Sequence, residues 1–173
     1  GQAVPNYSEV NLNDLFENLF KTISVIQSDK CDIEVKLIKP GTENNILCIT
    51  DEVKLLQVLN NLINNAFKFT EKGLIEFGYN VKTDKEITFI VRDTGVGIEE
   101  KYCKVIFERF RQVEGNLSII KGGSGLGLSI SKAYVELLGG EIKVDSEIGK
   151  GSMFTFTIPL VKPDKNSQQK VHT

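Results

Sequence analysis

The sequence predicts an α+β fold in which helices cover one face of a mixed sheet. Three observations carry that expectation. Apolar residues recur at helical spacing near residues 12–26, 51–70 and 126–138. Six further segments alternate or run apolar over strand lengths, near residues 31–38, 46–49, 74–81, 87–91, 141–146 and 152–160. The two kinds of segment mix without regular βαβ alternation. At 173 residues, 40% of them apolar, the chain suits one domain that buries roughly 70% of its unfolded surface.

Each element has a local reason. Residues 1–10 are polar and expected to be irregular, a remnant of a linker before a domain spanning 11–161. Asn11 or Asn13 can cap the first helix, with Asp14 and Glu17 near its positive end. Leu12, Leu15, Phe16, Leu19, Phe20, Ile23 and Ile26 form its apolar stripe. Ile33, Val35 and Leu37 alternate with polar residues as one face of a strand, and Pro40-Gly41 turns the chain. Thr50-Asp51-Glu52 starts a second helix, with a stripe of Leu55, Leu59, Leu62, Ala66 and Phe69, which stops before Gly73. Strands at 74–81 and 87–91 flank a polar turn. A stretch rich in Gly and charge, 93–124, interrupts regular structure except for helical pieces near 99–107. The third helix ends at Gly139-Gly140, two strands follow, and residues 162–173 read as a polar tail.

Charge and cysteine content exclude several classes. Twenty-one basic against 23 acidic residues give a formal charge of −2, without the basic excess that a nucleic-acid or anionic-membrane binder needs. No apolar run approaches the ~20 residues of a membrane helix, and no signal-peptide pattern opens the chain. Cys31, Cys48 and Cys103 are far apart and form no CxxC pair. They are expected to fill core space in a reducing compartment. The chain opens on Gly1 and its one methionine is Met153, so it is expected to be a piece of a longer protein.

Four groups of residues carry chemistry. On the second helix, Asn65 projects about 40° to one side of Asn61 and Lys68 about 20° to the other. Two amides and an ammonium on one strip suit a hard cation such as Mg²⁺ and a phosphate, although an ordinary polar face uses the same residue types. Asp93-Thr94-Gly95-Val96-Gly97-Ile98 follows a strand; its carboxylate can accept from an amino group such as that of adenine, and its glycines admit a close ligand. Glu100 stands where a dinucleotide fingerprint needs its third glycine. Gly122-Gly123-Ser124-Gly125-Leu126-Gly127-Leu128-Ser129 opens a helix and can present N–H groups to an anion, but no Lys-Ser or Lys-Thr pair closes it as a Walker loop. Phe107-Glu108-Arg109-Phe110-Arg111 brings two exposed-looking aromatics to a polar, glycine-containing segment suited to a movable flap.

Together these motifs resemble those of sensor histidine kinases. Residues 61–70 resemble the asparagine box, 93–98 the first glycine box, 106–110 the phenylalanine box and 123–130 the second glycine box. Gly149-Lys150-Gly151-Ser152-Met153-Phe154 with Pro159 resembles the closing strand motif. Five motifs in the family's order across residues 50–160 are far more specific than any one. The resemblance is to the catalytic ATP-binding domain of bacterial two-component kinases, within the group shared with gyrase-type, chaperone-type and mismatch-repair ATPases.

That resemblance implies a two-layer α/β sandwich of the Bergerat type with about five strands. It implies that Asp93 holds the adenine amine, with Gly95, Gly97 and Ile98 around the base, and that Asn65 with Asn61 coordinates Mg²⁺. Lys68 would contact phosphate. Residues from about Arg109 to Gly123 would form the ATP lid, with Arg109, Phe110, Arg111 and Lys121 facing nucleotide. Gly123, Gly125, Leu126, Gly127 and Leu128 would cradle the phosphates. ATP-hydrolysing relatives place a water-activating glutamate at position 61. Asn61 cannot take that proton, which favours a kinase over a hydrolase of the same fold; a protein-serine kinase of that fold stays open as an alternative, and a non-enzymatic nucleotide sensor is a further one. The acceptor histidine of such kinases sits on a dimerisation domain; His172, the one histidine here, lies in the polar tail. The implied partners are therefore a histidine-bearing dimerisation domain of the same parent and a response regulator or receiver domain. This piece is expected to be monomeric, within a homodimeric parent whose kinase part is cytoplasmic and which can be anchored in the inner membrane.

Overall fold

The structure is a computed structural model that describes residues 4–27, 29, 32–40, 46–108 and 127–164. In chain order the elements are β1 (Ser8–Asn11), α1 (Leu12–Gln27), β2 (Ile33–Ile38), β3 (Leu47–Thr50), α2 (Glu52–Phe69), β4 (Gly73–Asn80), β5 (Glu86–Asp93), the single turn α3 (Glu100–Cys103), α4 (Gly127–Leu137), β6 (Glu141–Glu147) and β7 (Gly151–Pro159). Five strands form one mixed sheet in the order β2-β4-β5-β7-β6, parallel only between β2 and β4. The expected α/β sandwich, with its mixed five-stranded sheet, is the observed fold.

Period-two alternation sorts each strand into two faces. Ile75, Phe77 and Tyr79 of β4, Ile87, Phe89 and Val91 of β5, and Phe154, Phe156 and Ile158 of β7 are all buried on the inner face. The registers Tyr79↔Phe89, Phe89↔Phe156 and Val91↔Phe154 place these residues side by side. Phe16 of α1 joins them, with its ring centroid 5.1 Å from Tyr79 and 6.0 Å from Phe89. Each such side chain contributes about 1.5–3 kcal/mol by burial. Helix α1 lies against β2, α2 against β4 and β5, and α4 against β6 and β7, while α2 and α4 also pack on each other.

Several expectations are corrected. Residues 8–10 are not irregular: Ser8–Asn11 pairs antiparallel with Leu47–Thr50 as a separate two-stranded sheet. The strand at 46–49 therefore stands outside the main sheet. Tertiary pairing, which no local pattern announces, made a strand of a polar segment. The buried face of α2 is wider than its expected stripe, since Val58, Ile63 and Phe67 join it while Phe69 is half-buried. Asn11 is the cap of α1, accepting the Asp14 N–H at 3.1 Å. Cys48 fills core space with no exposure, and burial pushes its thiol up to about 11. Cys103 is a half-buried free thiol, and Cys31 lies outside the described residues.

Candidate functional site

The inner face of β5 runs Ile87, Phe89, Val91 and then Asp93. The same alternation that buries three apolar side chains thus turns a carboxylate toward the helix layer at the strand's end. Asp93 is 6% exposed. Burial pushes its carboxyl above the usual carboxylate range, while the N–H groups of Gly95 and Ser152 and the Thr70 hydroxyl pull it back. The Gly95 N–H donates to Asp93 Oδ1 at 2.9 Å.

The turn after Asp93 is clamped between two other elements. The Val96 N–H donates to the Phe69 carbonyl at the end of α2, at 3.1 Å. A Cβ on Gly95 would stand 2.1 Å from that carbonyl oxygen, so no side chain fits there. Gly97 has φ +77°, and its Cβ would stand 2.1 Å from the Glu147 carbonyl; both conformation and space demand glycine. On that side the Gly149 N–H donates to Val96 O at 2.8 Å, and the Ile98 N–H donates to Ser146 Oγ at 2.8 Å. The glycines of this turn thus let α2, β5 and the β6–β7 turn meet at backbone distance.

Helix α2 brings the second group. Asp51 caps it, accepting the Lys54 N–H at 3.1 Å and the Asn6 N–H at 2.8 Å, with Lys54 Nζ at 3.0 Å. Burial works to raise the Asp51 carboxyl, but these donors hold it below its ordinary value. One face of α2 fills the core; Asn61 and Asn65 are half-buried and Lys68 is exposed. Asn61 Nδ2 donates to the Gly127 carbonyl and to Ser131 Oγ, both at 3.3 Å, and Ser131 Oγ donates to Gly127 O at 2.9 Å. This network ties α2 to the first turn of α4 and commits the amide nitrogen of Asn61. Gly127 and Leu128 are half-buried in that first turn.

The structure thus forms two groups joined by α2: Asn61 with Gly127 at the first turn of α4, and Asp93, Gly95, Gly97 and Ile98 in the turn clamped at the C-terminal end of α2, with Asn65 and Lys68 on the helix between them. Arg109, Phe110, Arg111, Lys121, Gly123, Gly125 and Leu126 lie outside the described residues. Phe107 is not the exposed flap aromatic expected: it packs edge-on against Phe154, centroids 6.1 Å apart, and against the core. Two residues were missed. Ser131 is wholly buried, and its signal was a serine on the apolar stripe Leu128, Ser131, Val135, Leu138. Thr70 is 3% exposed, and its signal was a position immediately after α2 and beside the glycine turn. A cavity of about 360 Å³ adjoins this end of the site, lined by Asp93, Ser146 and Ser152 together with Arg92, Asp145 and Lys150 among others.

As chemistry, this is a buried acceptor held by glycine turns, a strip of amide oxygens and one ammonium, and a helix end with N–H groups. No group of three His, Cys, Asp or Glu that could hold a metal occurs among the described residues, so a cation here would rest on amide oxygens. The donor set fits Mg²⁺, which favours hard oxygen ligands, and the buried carboxylate fits an amino-bearing base.

Known proteins resemble this chain in sequence and fold. The pattern of the family described as "Histidine kinase-, DNA gyrase B-, and HSP90-like ATPase" matches residues 50–162. The chain is 45% identical over 125 residues to the autoinducer 2 sensor kinase/phosphatase LuxQ of Vibrio vulnificus, an alignment covering 69% of this chain and 15% of LuxQ. The chain therefore spans less than a fifth of that relative's length. Among solved structures, full-length ShkA in complex with AMPPNP superposes with a TM-score of 0.80 at 28% identity, over 94% of this chain and 32% of ShkA. The catalytic domain of histidine kinase ThkA superposes with a TM-score of 0.76 at 26% identity, over 90% of this chain and 99% of that one.

Proposed function

Because this chain belongs to the histidine kinase-, DNA gyrase B- and HSP90-like ATPases, as the ATP-binding domain of a sensor kinase, we propose that it binds Mg-ATP and donates the γ-phosphoryl group to a histidine on a separate dimerisation domain of its parent. The observation that carries this reading is the Asp93 carboxylate, buried on the helix side of β5 and clamped by backbone at the foot of the asparagine-bearing helix. Such a buried acceptor selects a base edge that carries an amine.

In this reading Asp93 accepts from the adenine amine while Gly95 and Gly97 keep the turn flat enough for the base. Asn65 and the oxygen of Asn61 would hold Mg²⁺, and Lys68 would meet phosphate. A divalent cation held there would supply positive charge against the phosphates. The first turn of α4, anchored by Asn61 and Ser131, presents its N–H groups to the same anion. In the transfer, the bond between the terminal phosphorus and the bridging oxygen of ATP breaks, leaving ADP, and phosphorus bonds to an imidazole nitrogen of the acceptor. Position 61 offers an amide where hydrolysis would need a base, which supports transfer over hydrolysis.

Calorimetric titration with ADP, with and without Mg²⁺, tests the reading. Binding that strengthens with Mg²⁺ and vanishes in Asp93→Asn is expected. Unchanged affinity in that variant would overturn the assignment of Asp93.

A further inference from the structure

We propose that Thr70 is the positioning residue of the base pocket: its hydroxyl donates to the Asp93 carboxylate when adenine is bound and fixes which oxygen the base amine meets. This rests on the nucleotide reading above and adds a residue to it. Thr70 caps the C-terminal end of α2 and is 3% exposed. Its Oγ1 is the one buried side-chain polar atom without a formed hydrogen bond among the described residues, a costly condition unless a partner arrives. The atom abuts the Asp93 turn: a Cβ on Gly95 would stand 2.8 Å from it, and the same turn is bonded to the neighbouring Phe69 carbonyl. It is near enough to Asp93 to favour the ionised carboxyl, yet short of a formed bond.

The other hydroxyls around Asp93 are already engaged. Ser152 Oγ and Ser146 Oγ share a hydrogen bond of 2.7 Å, and Ser146 Oγ also meets Gly151 O and the Ile98 N–H. Thr94 Oγ1 accepts the Leu74 N–H at 2.9 Å. Asp93 Oδ1 takes the Gly95 N–H. A hydroxyl has one proton to give and two lone pairs to accept with, so Thr70 can hold the carboxylate and still accept.

The test compares Thr70→Val, which keeps the shape and removes the hydroxyl, with Thr70→Ser, which keeps the hydroxyl. ADP and inosine diphosphate, which lacks the 6-amino group, are titrated into each by calorimetry. Loss of a hydrogen bond to a charged group predicts about a tenfold fall in ADP affinity for Thr70→Val, little change for inosine diphosphate, and recovery in Thr70→Ser. Parent-like ADP affinity in Thr70→Val, or equal losses for both nucleotides, would overturn the role of Thr70 while leaving the nucleotide reading intact. A parent domain that binds no ADP would overturn both. Should the valine variant fail to fold, Thr70→Ala against Thr70→Ser reads out the same discrimination.

Discussion

Asp93 shows what a single residue contributes when it is placed against the grain of its strand. A carboxyl whose folded pKa lies above its unfolded value binds its proton more tightly when folded. Ionised Asp93 therefore subtracts stability above that folded pKa, and the loss is recovered as pH falls through it. Asp93→Asn should thus lose nucleotide binding while melting, at neutral pH, at or above the parent's temperature; the gap should close on acidification. A thermal scan that shows clear destabilisation at neutral pH would contradict this. Ser131 acts through Asn61. Ser131→Ala should weaken Mg-dependent ADP binding severalfold, about one hydrogen bond's worth, while adenosine binding stays level. Equal losses for ADP and adenosine in paired titrations would show that Ser131 serves packing alone. Both Asp93 and the asparagines were legible in the sequence because their spacing is local. Thr70 and Ser131 were not, because a hydroxyl's meaning depends on what the fold packs against it.

Among the elements, α2 carries the amides on one face and the core on another. Its start depends on Asp51, buried at 2% exposure and partnered by Asn6 and Lys54. Asp51→Ala should cost about 2–4 kcal/mol, read as a lower urea midpoint at unchanged slope. The Asp51 carboxyl is held below its ordinary value, so its stabilisation is present above the unfolded pKa, about 4, and is lost as pH falls through the folded one. The variant should accordingly narrow its gap to the parent in acid. At the opposite end of the site, Gly97→Ala meets both a positive φ and the Glu147 carbonyl. It should destabilise by more than about 1 kcal/mol and reduce ADP affinity with it; a variant of parental midpoint would refute the clamp. Helix and strand bounds were readable from periodicity to within a few residues. The widened face of α2 was not, because the burial of Val58, Ile63 and Phe67 comes from tertiary packing that no local pattern announces.

For the whole molecule, the topology places motifs that are far apart in sequence beside one another. The order β2-β4-β5-β7-β6 seats the end of β5 beside the start of β7, with α2 and α4 over them. The asparagine, first glycine and closing-strand motifs thus converge, and the first turn of α4 joins them through Asn61. A mixed sheet beneath helices was foreseeable from alternation, which marked six strand segments, while its size of about five strands was implied by the family resemblance. The β1–β3 pair was not, since its polar strand gains order only from its partner, and Val161 seals that region by accepting the Ile49 N–H at 2.7 Å. The central claim is that this assembly holds Mg-ATP intact for a distant acceptor. It is tested most directly by measuring phosphate release and bound nucleotide in one sample at saturating Mg-ATP. Bound nucleotide with essentially no turnover is the predicted result; sustained phosphate release, abolished in Asp93→Asn, would make the protein a hydrolase and contradict the account.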